Sequence, residues 1–137
     1  MTKISTVSII DDDPITIFGI TKMLNALDCC DHIETYMNGE QAIRAIRDQI
    51  KSQEDIPEVI FLDINMPIMD GWQFLEEFIA LKISQTIRIN IVTSSIDPVD
   101  RQNWEDFKNR THHQIEFMNK PMTRDEVALI TEAVKQS

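Results

Sequence analysis

Five short strand-like runs recur along this chain, each separated from the next by a segment with helical spacing, and that alternation limits the possible folds sharply. The runs are Thr6-Val7-Ser8-Ile9-Ile10, Ile33-Glu34-Thr35-Tyr36-Met37, Val59-Ile60-Phe61-Leu62, residues 87–93 and residues 114–118. Strict strand–helix alternation points to an α/β protein with a parallel sheet and helices on both faces. Strands buried on both faces should be near-continuously apolar. The first, third and fourth runs are; the second is mixed, which predicts an edge position.

The intervening segments carry helix signals. Residues 14–27 open on Pro14, suited to a first turn. After the Asn38-Gly39 turn, residues 41–51 place Ala42, Ile43, Ala45, Ile46 and Ile50 at helical spacing, and residues 52–57 form a polar loop. Asp70-Gly71 leads into a helix with Phe74, Leu75, Phe78, Ile79 and Leu81 on one side. Asp97-Pro98 reads as a cap and a first-turn proline for a helix to about Lys108. Thr123, with Glu126 three residues on, has capping-box spacing for a last helix that turns Val127, Ile130 and Val134 inward. Five strands and five helices are expected.

At 137 residues the chain fits a single domain, residues 1–137, with room for a real core. The start does not resemble a secretory signal and no run approaches membrane-spanning length. Cys29-Cys30 suits neither a disulfide framework nor a metal knuckle, so a reducing, cytoplasmic setting is expected. Thirteen basic against 23 acidic residues give a net charge of −10, which argues against direct nucleic-acid binding. Most of that acidity serves solubility. Solubility does not explain acids placed at strand ends.

Those acids are the informative residues. Asp11, Asp12 and Asp13 follow the first strand, Asp63 the third, Thr93-Ser94 the fourth and Lys120 the fifth. In a parallel sheet these ends share one edge, where open α/β sheets bind ligands. Each residue alone has a plain explanation: an Asp capping the helix at Pro14, a branched strand residue, a solvated loop lysine. A helix start, however, needs one cap rather than three acids. Two carboxylates about 5 Å apart repel by roughly 3 kcal/mol at an effective dielectric near 20. Such a cluster is tolerable when one group is protonated or a cation sits among them. Oxygen donors without His or Cys indicate a hard cation, with Mg²⁺ and its retained waters preferred. A calcium loop starting at Asp11 fails, since Thr16 stands where glycine is needed and Lys22 where a bidentate Glu is needed.

A carboxylate beside Mg²⁺, a lysine and a hydroxyl suits phosphoryl transfer to the carboxylate itself. The three glycines, Gly19, Gly39 and Gly71, form no phosphate loop, so the phosphoryl group must come from elsewhere.

The stretches Ser8-Ile9-Ile10-Asp11-Asp12-Asp13-Pro14, Leu62-Asp63-Ile64-Asn65-Met66-Pro67-Ile68-Met69-Asp70-Gly71, Val92-Thr93-Ser94-Ser95 and Asn119-Lys120-Pro121 resemble, in order, the motifs of bacterial two-component receiver domains (CheY-like). The resemblance runs from about Thr6 to Val134. It implies a flavodoxin-like, doubly wound sheet with strand order 2-1-3-4-5. Asp63 resembles the phosphoacceptor served by a sensor histidine kinase or a phosphotransfer protein. Asp12 is similar to the direct Mg²⁺ ligand, together with Asp63 and the backbone carbonyl of Asn65, and Asp11 to the acid acting through water. Lys120 resembles the phosphate-pairing lysine, Thr93 the hydroxyl that moves toward the phosphoryl group, and Phe117 the aromatic switch. The resemblance also implies a cis Lys120–Pro121 bond. Asp13 has no family role and is left as a cap.

Phe117 lacks the phenolic hydroxyl some members carry, so a switch there must work by packing. Residues 95–114 look longer than in compact members, giving an enlarged fourth helix, and His112-His113 reads as a solvated loop pair. The leading reading is a stand-alone response regulator that signals through protein contacts or a phosphorelay, with no catalysis beyond its own phosphorylation and dephosphorylation. The cognate kinase and downstream protein target are unknown, and no membrane contact is expected. The alternative is a small Mg²⁺-dependent phosphatase resembling the haloacid-dehalogenase class. It needs a general acid two residues after the nucleophile: Asn65 cannot serve Asp63, while Asp13 formally fits Asp11.

Overall fold

The structure, a computed structural model, describes residues 3–135, with side chains described as far as Glu132. Five strands, β1 (Ile4–Ile10), β2 (Cys30–Tyr36), β3 (Val59–Leu62), β4 (Arg88–Thr93) and β5 (Gln114–Asn119), alternate with five helices. These are α1 (Pro14–Leu27), α2 (Gly39–Lys51), α3 (Gly71–Ala80), α4 (Pro98–Lys108) and α5 (Arg124–Lys135). The strands form one parallel sheet in the order β2-β1-β3-β4-β5, as expected, with the mixed β2 at an edge.

The sheet divides the core in two. Alternate side chains Ile10, Ile60, Leu62, Ile89 and Ile91 face Ala42, Ile43 and Ile46 of α2 and Phe74, Leu75 and Phe78 of α3, with Phe107 of α4. The opposite set, Val7, Ile9, Val59, Phe61 and Val92, packs on Ile20 and Leu24 of α1 and Val127 and Ile130 of α5. Full burial of each large apolar side chain contributes about 1.5–3 kcal/mol, so both layers are needed to hold the sheet.

Caps set the helix starts. Asp13 accepts from the Ile15 amide, Asn38 from Gln41 and Asp97 from Val99, while Asp70 and Gln73 form a reciprocal capping box. Thr123 and Glu126 bond each other's amides, the predicted capping box of α5. The α4 bounds match the sequence expectation.

Several expectations need correction. β2 runs three residues further toward the N-terminus, because parallel pairing with β1 extends to Ile4↔Cys30 whatever the side-chain pattern says. Ile50 is 41% exposed, and the α2 core face is completed instead by Gln49, whose amide reaches Glu34 on β2. His112-His113 is not a solvated pair. His112 is exposed, but His113 is 5% exposed, its Nδ1 accepting the Ile87 amide proton at 2.9 Å and its ring packed on Phe78. Val134 falls beyond the side chains described.

Candidate functional site

Strand register alone assembles this site. β1 and β3 pair with Ile10 opposite Leu62, so Asp11 and Asp63 occupy the next rung. The Asp63 amide donates to the Ile10 carbonyl at 2.9 Å, and the Asp11 amide to that of Tyr36 at 3.0 Å. On the other side Thr93 pairs with Asn119, and the next amide, that of Lys120, donates to the Thr93 carbonyl at 2.9 Å. Residues more than a hundred positions apart thus meet at the carboxyl edge. The Lys120–Pro121 peptide bond is cis, as the resemblance implied.

Lys120 Nζ lies 3.0 Å from Asp11 Oδ2 and 3.8 Å from Asp63 Oδ1, with all three side chains largely buried. Asp11, Asp12 and Asp63 each offer a carboxylate oxygen, and these oxygens lie within 4.8 Å of one another. Asp12 is the most open of the three. Burial, and next the neighbouring Asp11 carboxylate, push Asp63 up to about 6; Lys120 and the Ile64 amide oppose the rise without cancelling it. Asp11 is raised too, chiefly by burial, although it accepts the Asp13 amide proton at 2.9 Å and pairs with Lys120.

One ammonium against three converging carboxylates leaves the pocket short of positive charge. The donors are all oxygen, and one faces outward. A hard cation that keeps part of its water shell therefore fits the residues present.

The remaining predicted residues lie on the neighbouring elements. Asn65 is exposed in the loop after β3, between the buried Ile64 and Met66. Thr93 is fully buried, and its Oγ1 accepts the Ser95 amide proton at 3.0 Å, which leaves its own proton to donate. Phe117 is half-buried on β5, its ring 5.7 Å from that of Trp104 with the Arg101 guanidinium 5.2 Å away. Asp13 is lowered by the Ile15 amide and the Thr16 hydroxyl at the start of α1. A carboxyl held ionised against a helix start is a poor general acid, which removes the residue the phosphatase alternative required.

Four residues contribute in ways that the sequence does not mark. Gly71 was read only as a turn residue, yet a Cβ there would run into the Asp63 carbonyl, so a side chain at 71 would displace the central carboxylate. Its φ is not positive; the demand is for space alone. Ile68 holds φ +70° in the loop after β3, where the Met69 amide closes a tight turn onto the Pro67 carbonyl. A β-branched residue in that region carries about 1–3 kcal/mol of strain. Asp100 and Trp72 bond each other across α4 and α3, a contact with no local signature.

A profile of the response regulator receiver domain matches residues 7–132. The chain belongs to that family. An uncharacterised response regulatory protein of Vibrio cholerae is 27% identical over 99% of this chain and 47% of its own length. A protein-glutamate methylesterase/protein-glutamine glutaminase of Hahella chejuensis is 32% identical over 66% of this chain and 24% of its own length. This receiver chain thus spans about half, or less, of those relatives. Among solved structures, a two-component response regulator from Cytophaga hutchinsonii superposes with a TM-score of 0.80 at 24% identity, covering 99% of this chain and all of that one. The receiver domain of a Pseudomonas aeruginosa sensor histidine kinase, which holds a magnesium ion in its active-site cleft, gives 0.75 at 21% identity, covering 97% and 98%. At these identities the superpositions establish the flavodoxin-like receiver fold. Among the described residues no helix is long and apolar enough to cross a membrane.

Proposed function

We propose that this receiver domain accepts a phosphoryl group on Asp63 from the phosphohistidine of a sensor histidine kinase or phosphotransfer protein, and that the modified state is read by a protein target. The observation that carries this is the convergence of Asp63 with Asp11 and Lys120 at one buried rung of the sheet edge. Family membership and the haloacid-dehalogenase alternative's missing acid both point the same way.

With Asp63 raised to about 6, its carboxyl is mainly ionised at neutral pH yet more basic than an ordinary aspartate, which favours it as a nucleophile. A carboxylate oxygen forms the new O–P bond as the N–P bond of the donor breaks, and the imidazole leaves with the electron pair. Lys120 places its charge beside the phosphoryl oxygens, and the Thr93 hydroxyl can donate to one of them. Asp12, Asp63 and the Asn65 carbonyl would hold Mg²⁺ directly, with Asp11 acting through water; the ion supplies further charge neutralisation when bound. The magnesium ion of the Pseudomonas aeruginosa domain, and the beryllofluoride and magnesium of a CheX–CheY complex from Borrelia burgdorferi, support this assignment.

The reaction changes only the protein itself, so the domain acts as a switch rather than as an enzyme on other substrates. A cytoplasmic setting and protein partners suit the strong net negative charge, which disfavours direct nucleic-acid contact. Phe117, packed under Trp104, is the side chain through which the state of Thr93 would reach the face formed by α4, β5 and α5.

Acetyl phosphate with Mg²⁺ should add one phosphoryl group, detected by intact-mass measurement, and Asp63→Asn should abolish it. Undiminished labelling of that variant would overturn the assignment.

A further inference from the structure

Thr93 does not stand alone at the end of β4. Its Oγ1 accepts the Ser95 amide proton at 3.0 Å, and Ser95 is itself gripped. The Ser95 hydroxyl donates to Asp100 Oδ2 and accepts the Asp97 amide proton at 3.2 Å. The other Asp100 oxygen accepts the indole N–H of Trp72, at 3.1 Å, from α3. Trp72 in turn stacks on Phe107 near the far end of α4, centroids 5.6 Å apart and planes 11° from parallel.

Asp100 lies in the first turn of α4, where an acid favours the helix dipole. That role needs only a carboxylate near the helix end. Here both carboxylate oxygens are committed, one to the loop after β4 and one to a neighbouring helix. Two bonds, one to each neighbouring element, fix the carboxylate between them. Its next neighbour, Arg101, lies over both the Phe117 ring at 5.2 Å and the Trp104 ring at 5.3 Å. The bridge therefore joins the loop after β4, whose Ser95 amide holds Thr93, to the helix that covers Phe117.

We propose that Asp100 is a positioning residue for the Thr93 hydroxyl, acting through Ser95, and that this bridge holds the domain in its resting form. The inference rests on the reading of Asp63 as phosphoacceptor and adds what opposes the switch. Thr93 keeps its own proton to donate while it accepts from the Ser95 amide, so what the bridge opposes is a shift of the hydroxyl toward an oxygen on Asp63. Such a shift pulls on the chain Thr93–Ser95–Asp100–Trp72. The apparent affinity of any ligand for the active form is reduced in proportion to how rarely that form is populated. Removing the bridge raises that population and tightens binding without touching the acidic pocket.

The test is a titration of beryllofluoride in saturating Mg²⁺, read by tryptophan fluorescence and by NMR of the Asp63 and Phe117 regions, with thermal melts alongside. Asp100→Ala and Ser95→Ala should bind about tenfold more tightly than the natural sequence, since both free the loop. Asp100→Asn can still accept from Trp72 and bond the Ser95 hydroxyl, so it should stay within about twofold. A role confined to the helix dipole would lower the melting temperature of Asp100→Ala and leave beryllofluoride affinity unchanged; that result, or weaker binding, overturns the bridge. Ser95→Ala, which removes one loop hydroxyl, decides the matter if Asp100→Ala does not fold. Absence of any beryllofluoride response in the natural sequence would instead overturn the phosphoacceptor reading, and the bridge with it.

Discussion

The two edges of the sheet bury ionisable groups at similar depth and treat them in opposite ways. At the amino edge, His113 sits just before β5 with its Nδ1 accepting the Ile87 amide proton and its ring against Phe78. Burial, and then the adjacent His112, push it down to about 4, so it is neutral and its Nδ1 serves as a structural acceptor. At the carboxyl edge, burial pushes Asp63 up to about 6; the Ile64 amide donates to its Oδ1, but its other neighbours are two more acids and a shared lysine. One edge has solved its desolvation problem with a neutral hydrogen bond. The other keeps it unsolved, and that residual charge imbalance is what a metal and a phosphoryl group can use.

Breaking the amino edge should have the largest effect on stability. His113→Ala strands the buried Ile87 amide, removes packing on Phe78 and should cost about 3–4 kcal/mol in urea unfolding. Phosphoryl acceptance by the folded fraction should survive, because nothing at the acidic pocket contacts His113. A loss below about 1 kcal/mol would mean that the Ile87 bond is replaced by water.

Mg²⁺ should act only at the carboxyl edge. At about a hundred times its dissociation constant it should add about 2.7 kcal/mol of stability. Asp12→Ala should remove most of that gain while leaving the metal-free melting temperature unchanged or higher, since one of three repelling carboxylates is gone. Intact Mg²⁺ affinity in that variant would show that Asp12 is not a ligand.

The smallest effect is a pH dependence in which the two edges oppose each other. Unfolded His113 takes up a proton near pH 6.5 and the folded residue only near 4, so its contribution is complete above 6.5 and is lost as pH falls toward 4. Folded Asp63 keeps its proton to about pH 6 where the unfolded residue releases it near 3.8, so its contribution is present at low pH and lost as pH rises toward 6. The slopes partly cancel in metal-free buffer. Asp63→Asn should uncover the His113 slope, making stability fall about 1–3 kcal/mol more between pH 6.5 and 4 than in the natural sequence. Parallel curves for the two proteins would show that the Asp63 carboxyl is not raised by its surroundings.

The same contrast explains what could be read from the chain. Strand ends, helix caps and the acids after β1 and β3 were legible because their signals are local: an apolar run, a proline in a first turn, an Asp two or three residues before the amide it accepts. His113 was misread because a histidine beside a histidine in a polar stretch has no local mark of burial. Its acceptor role depends on Ile87, 26 residues away. Gly71 was legible as a turn, but the nearness of the Asp63 carbonyl was not.

By itself the sequence determined the order of elements, the sheet type and the set of residues brought to one edge, since periodicity and chain connectivity constrain those directly. The receiver motifs carried the strand order. Tertiary structure decided which of those residues are crowded enough to shift their charge, and which amide each buried acceptor meets. It also decided that Asp100 bridges the loop after β4 to Trp72. These depend on distances between elements set by packing two core layers onto one twisted sheet, and no window of neighbouring residues contains that information.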